Sequence, residues 1–373
     1  MSRIVLLSFF YDVSFLFSKK SIKILENIFC FFAIKRTLIF FDAVLIFFGV
    51  SASVYFFSYV KKSQSVDRGA QVVRLPQSFQ EWRSLTENVV SFFSRKNYKN
   101  VSDAELVSFC QKHFLRPAGS EIGSGVANNY YQNLLSVLDY DQKKSLWNLF
   151  KGSGFLTNVL PVHREYQYIV IMGGSWDGIA SRLMFLDSLV ESRSIELTKD
   201  SVVYFLVGDR ALYPEEREKA ENVLAKKREK QPIACETDLP PLLWKSVVRG
   251  PLLKRKGIEV LKSYKLPGQY RVNTLGTLND FLKKVGYKGG KILVVSSNPF
   301  VFYQGLTFKT LIMRKGFAID QVDVVGTVDK WCQSMSDRAL GKVLDSFSRG
   351  FYQKSELESI RCLDHSKDKK AER

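Results

Sequence analysis

Side chains able to do chemistry gather in four short clusters, each at the end of an apolar run. The first is Gly173, Gly174 and Ser175, with Arg182 nine residues after Gly173. Paired glycines let backbone approach a ligand closely, and the long Arg182 side chain can reach back to that turn or pair with a carboxylate such as Asp209. Gly208, Asp209 and Arg210 form the second, followed by Pro214, Glu215 and Glu216. An arginine held there can grip a phosphate or carboxylate in bidentate fashion, although a turn whose Asp209 and Arg210 pair with neighbours reads equally well. In the third, Asn273 and Thr274 with Thr277 suit the start of a helix, where free backbone N–H groups attract anions; an ordinary helix cap uses the same residues. The fourth is Ser296, Ser297, Asn298 and Pro299, with Tyr303, Gln304 and Lys309 following. Polar side chains directly after a buried run must bond something, be it a ligand or their own turn.

Several chemistries are excluded by spacing. The Gly173 turn fits neither G-x-x-x-x-G-K-[ST] nor G-x-G-x-x-G, so it does not assert nucleotide binding. Gly174-Ser175 is no nucleophile elbow, because Asp177 stands where that turn uses glycine. The five cysteines, Cys30, Cys110, Cys235, Cys332 and Cys362, contain no C-x-x-C pair, and only His113, His163 and His365 are available, so no metal site is expected. No general base stands out, since Asp177, Asp209 and Glu215 are equally placed, and the residues leave catalysis open.

These clusters need a scaffold, and residues 160–354 supply the pattern of one. Strands are expected at Tyr168–Met172 and at 202–207, 258–261, 291–296 and 322–325. Helices are expected from Asp177 onward and at 215–230, 275–285, 300–313 and 336–353. Such alternation argues an α/β domain with a doubly wound parallel sheet. Residues 81–155 read as helices, with Ser102 and Glu105 at capping-box spacing; they carry no chemical motif and suit packing or association.

The 373 residues carry 55 Lys and Arg against 37 Asp and Glu, a formal charge of +18. Nucleic acid is not the expected partner, because no basic stripe interleaved with aromatics is present. Lys19, Lys20, Lys23, Lys35, Arg36, Lys61 and Lys62 instead flank apolar sequence, as membrane-bordering residues do. Residues 37–60 carry only Asp42 as a charge and are long enough to span a bilayer as one transmembrane helix. An apolar N-terminal segment, 1–36, precedes it, and a linker, 61–80, follows. Residues 355–373 read as a charged tail.

The order of these pieces, an apolar strand with Gly173-Gly174 and Arg182, then Gly208-Asp209-Arg210, then Asn273-Thr274, then Ser297-Asn298-Pro299-Phe300 with Tyr303-Gln304, resembles the YdcF-like family that includes SanA and ElyC. The likeness covers about residues 166–353. Family members carry an acidic residue heading the next helix after the second strand, for which Glu236 or Asp238 is the match. Ser297-Asn298 stand where better-known members have Thr-Ser. The resemblance implies a Rossmann-like fold behind a membrane anchor, in the inner membrane with a periplasmic globular part, and roles in bacterial envelope metabolism. In one branch it implies binding of S-adenosylmethionine. The expected ligand is an anionic small molecule, nucleotide-like or carrying a lipid-linked phosphate. Gly173, Gly174, Ser175, Gly208 and Asp209 would frame it, Arg182 and Arg210 would neutralise its charge, and Asn273, Thr274, Ser297, Asn298 and Gln304 would orient it. The other expectation is a scaffold without catalysis, whose residues 81–155 engage a partner.

Overall fold

The structure is a computed structural model and describes residues 76, 78–94, 98, 100–116, 124–228, 232–250, 252, 258–264 and 273–371. The chain divides into two compact units, Met1–Val72 and Val73–Arg373, and every described residue belongs to the second. The span expected at 37–60 therefore lies outside the described residues. Among the described residues no helix is long and apolar enough to cross a membrane.

Five parallel strands form one sheet: β1 (Tyr168–Met172), β2 (Val202–Gly208), β3 (Ile258–Ser263), β4 (Ile292–Asn298) and β5 (Val322–Val328), in the order β3-β2-β1-β4-β5. Their apolar runs are continuous because both faces are covered. One face carries α5 (Trp176–Glu191), α6 (Pro214–Lys227) and α7 (Leu239–Val247), which bury Leu183, Leu186, Leu224 and Leu243 against Ile169, Phe205 and Val295. On the other face α8 (Thr274–Lys284) and α9 (Val301–Arg314) bury Phe281, Phe308 and Ile312 against Val170, Tyr204 and Val294.

A helical layer comes from the two ends of the unit. Helices α1 (Phe79–Ser91), α2 (Asp103–Phe114), α3 (Ser124–Leu135) and α4 (Tyr140–Gly152) precede the sheet, and α10 (Asp337–Ala371) follows it. Ser78 with Glu81, Ser102 with Glu105 and Asp139 with Gln142 each close a capping box, satisfying donors that helix starts leave open. Trp82, Phe114 and Phe150 then pack with Leu344, Phe347 and Phe351 of α10 in one apolar cluster. Residues 81–155 are thus joined to the C-terminal helix. Of the charged tail expected at 355–373, residues 355–371 continue α10, and Leu357 among them is buried against the helical layer.

Candidate functional site

Strand order reverses between β1 and β4, since β1 leads to β2 and β3 while β4 lies on its other side. In open α/β sheets that reversal leaves a crevice at the carboxyl ends of the strands. Gly173 continues β1 into it, donating its N–H to Leu206 O at 2.7 Å. A Cβ at Gly173 would stand 2.3 Å from Glu236 Oε1 and 2.6 Å from Leu206 O, so only glycine fits. Ser175 caps α5, its Oγ accepting from Gly178 N at 3.3 Å.

Arg182 is buried and does reach back to the glycine turn. Its Nη1 donates to Met172 O and Gly173 O, and its Nη2 donates to Ser297 Oγ at 3.1 Å. Its Nε has no acceptor. Ser297 Oγ in turn donates to Asp329 Oδ2 at 3.1 Å, just beyond β5. Burial pushes the Asp329 carboxyl above its ordinary range, opposed by Arg182, the Ser297 hydrogen bond and Lys342. Lys342 of α10 lays its ammonium 3.9 Å from the Trp331 ring centroid, and burial together with Arg338 brings its pKa down to about 8. Partly buried Phe300, Tyr303 and Trp331 form an aromatic wall beside this polar floor, with Phe300 and Trp331 centroids 6.0 Å apart. Asp329, Trp331 and Lys342 were not legible as site residues, because nothing in the local sequence marks them.

Of the two arrangements open to Arg210, a ligand anion or pairing within the protein, the structure shows the pairing. Arg210 holds Glu216 in a bidentate pair at 2.8 and 3.0 Å and reaches Glu236 at 3.2 Å, and both glutamates are buried. Burial works against its charge, but the Glu216 hydrogen bonds and the Glu236 charge more than offset that and raise its pKa. The two carboxylates also take the donors that a ligand anion would use. Glu236 Oε1 accepts from Gly174 N at 2.7 Å, and Glu216 Oε1 from Trp176 N at 3.2 Å at the start of α5. Of the two acidic residues considered for the head of the following helix, Glu236 meets the glycine turn, while Asp238 accepts from Ala234 N and Cys235 N.

The remaining expected residues divide by role. Ser296, Ser297 and Asn298 lie inside β4, because pairing with Gly326, Thr327 and Val328 extends the strand by three residues beyond the apolar run and by two beyond the expected end at 296. Asn298 is fully buried and its Nδ2 donates to Thr157 O, tying the segment before the sheet to β4; its Oδ1 has no donor. Gln304 accepts from Ser296 Oγ on the α9 face of the sheet. Asn273 caps α8 through Gly276 N at 2.7 Å, and Thr274 Oγ1 lies 3.0 Å from Tyr303 Oη. Gly208 ends β2, and Asp209 pairs with Lys262 at 2.9 Å at the β3 edge, away from Arg182. Asp177 is exposed and paired with Lys219 at 2.6 Å. Among the described residues no His, Cys, Asp and Glu cluster could hold a metal ion, and Cys110, Cys235, Cys332 and Cys362 are free thiols.

No family model, no curated protein and no solved structure matches the chain.

Proposed function

We propose that the chain is a membrane-anchored YdcF-like protein whose Rossmann-like, doubly wound sheet binds an anionic small molecule, nucleotide-like or carrying a lipid-linked phosphate, in bacterial envelope metabolism. The observation that carries this reading is the uneven charge around the crevice. On the β4–β5 side Arg182 and Lys342 both face the Asp329 carboxylate, and Glu236 acts on Arg182 as well. On the β1–β2 side Arg210 stands against both Glu216 and Glu236. An anionic group is drawn to the first side, over Ser297, and the aromatic wall of Phe300, Tyr303 and Trp331 suits a flat or apolar remainder. Arg182 then serves chiefly as a buried source of field, and Lys342 as the cation that meets the ligand.

The scaffold reading also has a specific observation in its favour, the complete internal pairing of Arg210, which fills the anion site at the start of α5 with the protein's own carboxylates. Mass spectrometry of small molecules released from the full chain, purified without additives, separates the two. A retained anion at near-stoichiometric amount is the expected result, and protein free of any small molecule favours the scaffold.

A further inference from the structure

Lys342 of α10 is a half-buried amine whose close contact is aromatic. Among the described residues it makes no hydrogen bond or ion pair, and its Nζ lies 3.9 Å from the centroid of the Trp331 ring. The same indole hydrogen-bonds the Asp329 carboxyl, which also accepts from Ser297 Oγ of β4 at 3.1 Å. Asp329 follows β5 directly, and Cys332 N donates to Asp329 O at 2.8 Å, so one tight turn fixes carboxyl and indole to each other. One tryptophan thus holds an amine and a carboxyl beside the crevice with no ion pair between them.

The surroundings of each group work against its charge. Burial is the largest influence on both, bringing the pKa of Lys342 down to about 8 and raising that of Asp329. Around Lys342, Arg338 of α10 and Arg116 beyond α2 disfavour the ammonium, while Cys332 and Asp329 favour it. Around Asp329, Arg182 and Lys342 favour the carboxylate. A plain anion site is weakened by an amine that gives up its proton readily, whereas a nucleophilic lysine requires one. A carboxyl that keeps its proton more tightly than usual supplies the acid that amine attack on a carbonyl needs.

We propose, on the reading that a ligand anion lies over Ser297, that Lys342 condenses with the carbonyl of an anionic aldehyde or ketone seated against Trp331, with Asp329 as proton donor. The Nζ electron pair bonds the carbonyl carbon, and the C=O pair moves to oxygen, which takes the Asp329 proton. Nitrogen passes one proton back to Asp329, and the hydroxyl leaves as water with that proton as C=N forms. The iminium proton then returns to Asp329, so amine and carbonyl have become imine and water with no oxidant or reductant.

The test is reductive trapping of the full chain, in phosphatidylcholine nanodiscs, with 4-carboxybenzaldehyde and cyanoborohydride, adducts being located by peptide mass spectrometry. At pH 7 Lys342 should be labelled at least about tenfold faster than exposed Lys144 and Lys199, because more of it is unprotonated, and the ratio should narrow toward pH 10. Uncharged benzaldehyde should show a smaller preference for Lys342. Lys309 is the control for burial, since its pKa is lowered too but it lies near Asp323, at the other end of β5. Asp329→Asn separates acid from field: loss of the charge alone would speed labelling of Lys342, whereas loss of the proton donor should slow it at least about tenfold. Labelling of Lys342 no faster than that of Lys144 or Lys309, or faster labelling in Asp329→Asn, would overturn the proposal; should that variant not fold, the Lys309 comparison and the pH ratio decide. A native anion lost in Lys342→Met, with no adduct at Lys342 in the wild type, would strike this proposal and leave the binding reading standing.

Discussion

Arg210 shows how a residue of the right type in the right place can serve the fold. Its guanidinium lies between two buried glutamates, so Arg210→Ala would leave carboxylates without compensation. Urea unfolding at fixed salt should find it destabilised by about 3–5 kcal/mol, and a loss under about 1 kcal/mol would mean that the pair is solvated and weak. Lys342 shows the opposite pattern. Its pKa falls to about 8 from the ordinary 10.5, so the folded chain holds this proton less tightly than the unfolded chain does. Such a base contributes stability above its unfolded pKa, and the contribution is lost as pH falls from 10.5 to 8. At pH 7 the charged side chain is carried at a cost on the order of 3 kcal/mol. Lys342→Met should accordingly be more stable than the wild type at pH 7, with the difference narrowing toward pH 10; equal stability at both pH values would show that the ammonium is fully solvated.

At the scale of elements, β4 is an interior strand, lying between β1 and β5 with every residue buried. Val294→Asp would put an unpaired carboxylate there and should abolish a cooperative transition, at a cost of several kcal/mol. A folded, cooperative variant would mean that β4 is not buried on both faces. The strands were legible because parallel strands buried on both faces leave unbroken apolar runs, and Tyr168–Met172 was bounded to the residue by Gly173. The end of β4 was not, because Ser296, Ser297 and Asn298 are polar and only their pairing with β5 shows that they are strand. Four clusters were read as one site, and the structure brings Gly173, Gly174, Arg182 and Ser297 together while giving Gln304 and Asn273 local structural partners and Asn298 a distant one, Thr157. Local sequence cannot say which partner a side chain finds at a distance of 26 residues, as Arg210 finds Glu236, or 32, as Ser297 finds Asp329. The association of α1 to α4 with α10 escaped for the same reason: the capping boxes are written locally, but the packing of Trp82 on Phe347, with centroids 5.9 Å apart, is not.

For the whole molecule, the charge of +18 and the apolar stretch at 37–60 bear on one proposal, that the chain is held at a membrane surface by its first unit. Fractionation should leave the full chain in membranes after a high-salt wash, because a spanning helix is not displaced by screening; recovery in the soluble fraction would contradict the anchor. The central claim, however, is that Lys342 and Arg182 place a ligand anion over Ser297. A stabilising substitution that removes function is what a site carrying an unpaired cation should give. The most direct measurement is therefore made on Lys342→Met and wild type side by side, comparing unfolding free energy at pH 7 with the small molecules released from each protein and identified by mass spectrometry. The account predicts a variant at least as stable as the wild type that has lost the retained anion. The same anion in the same amount from both proteins would contradict it.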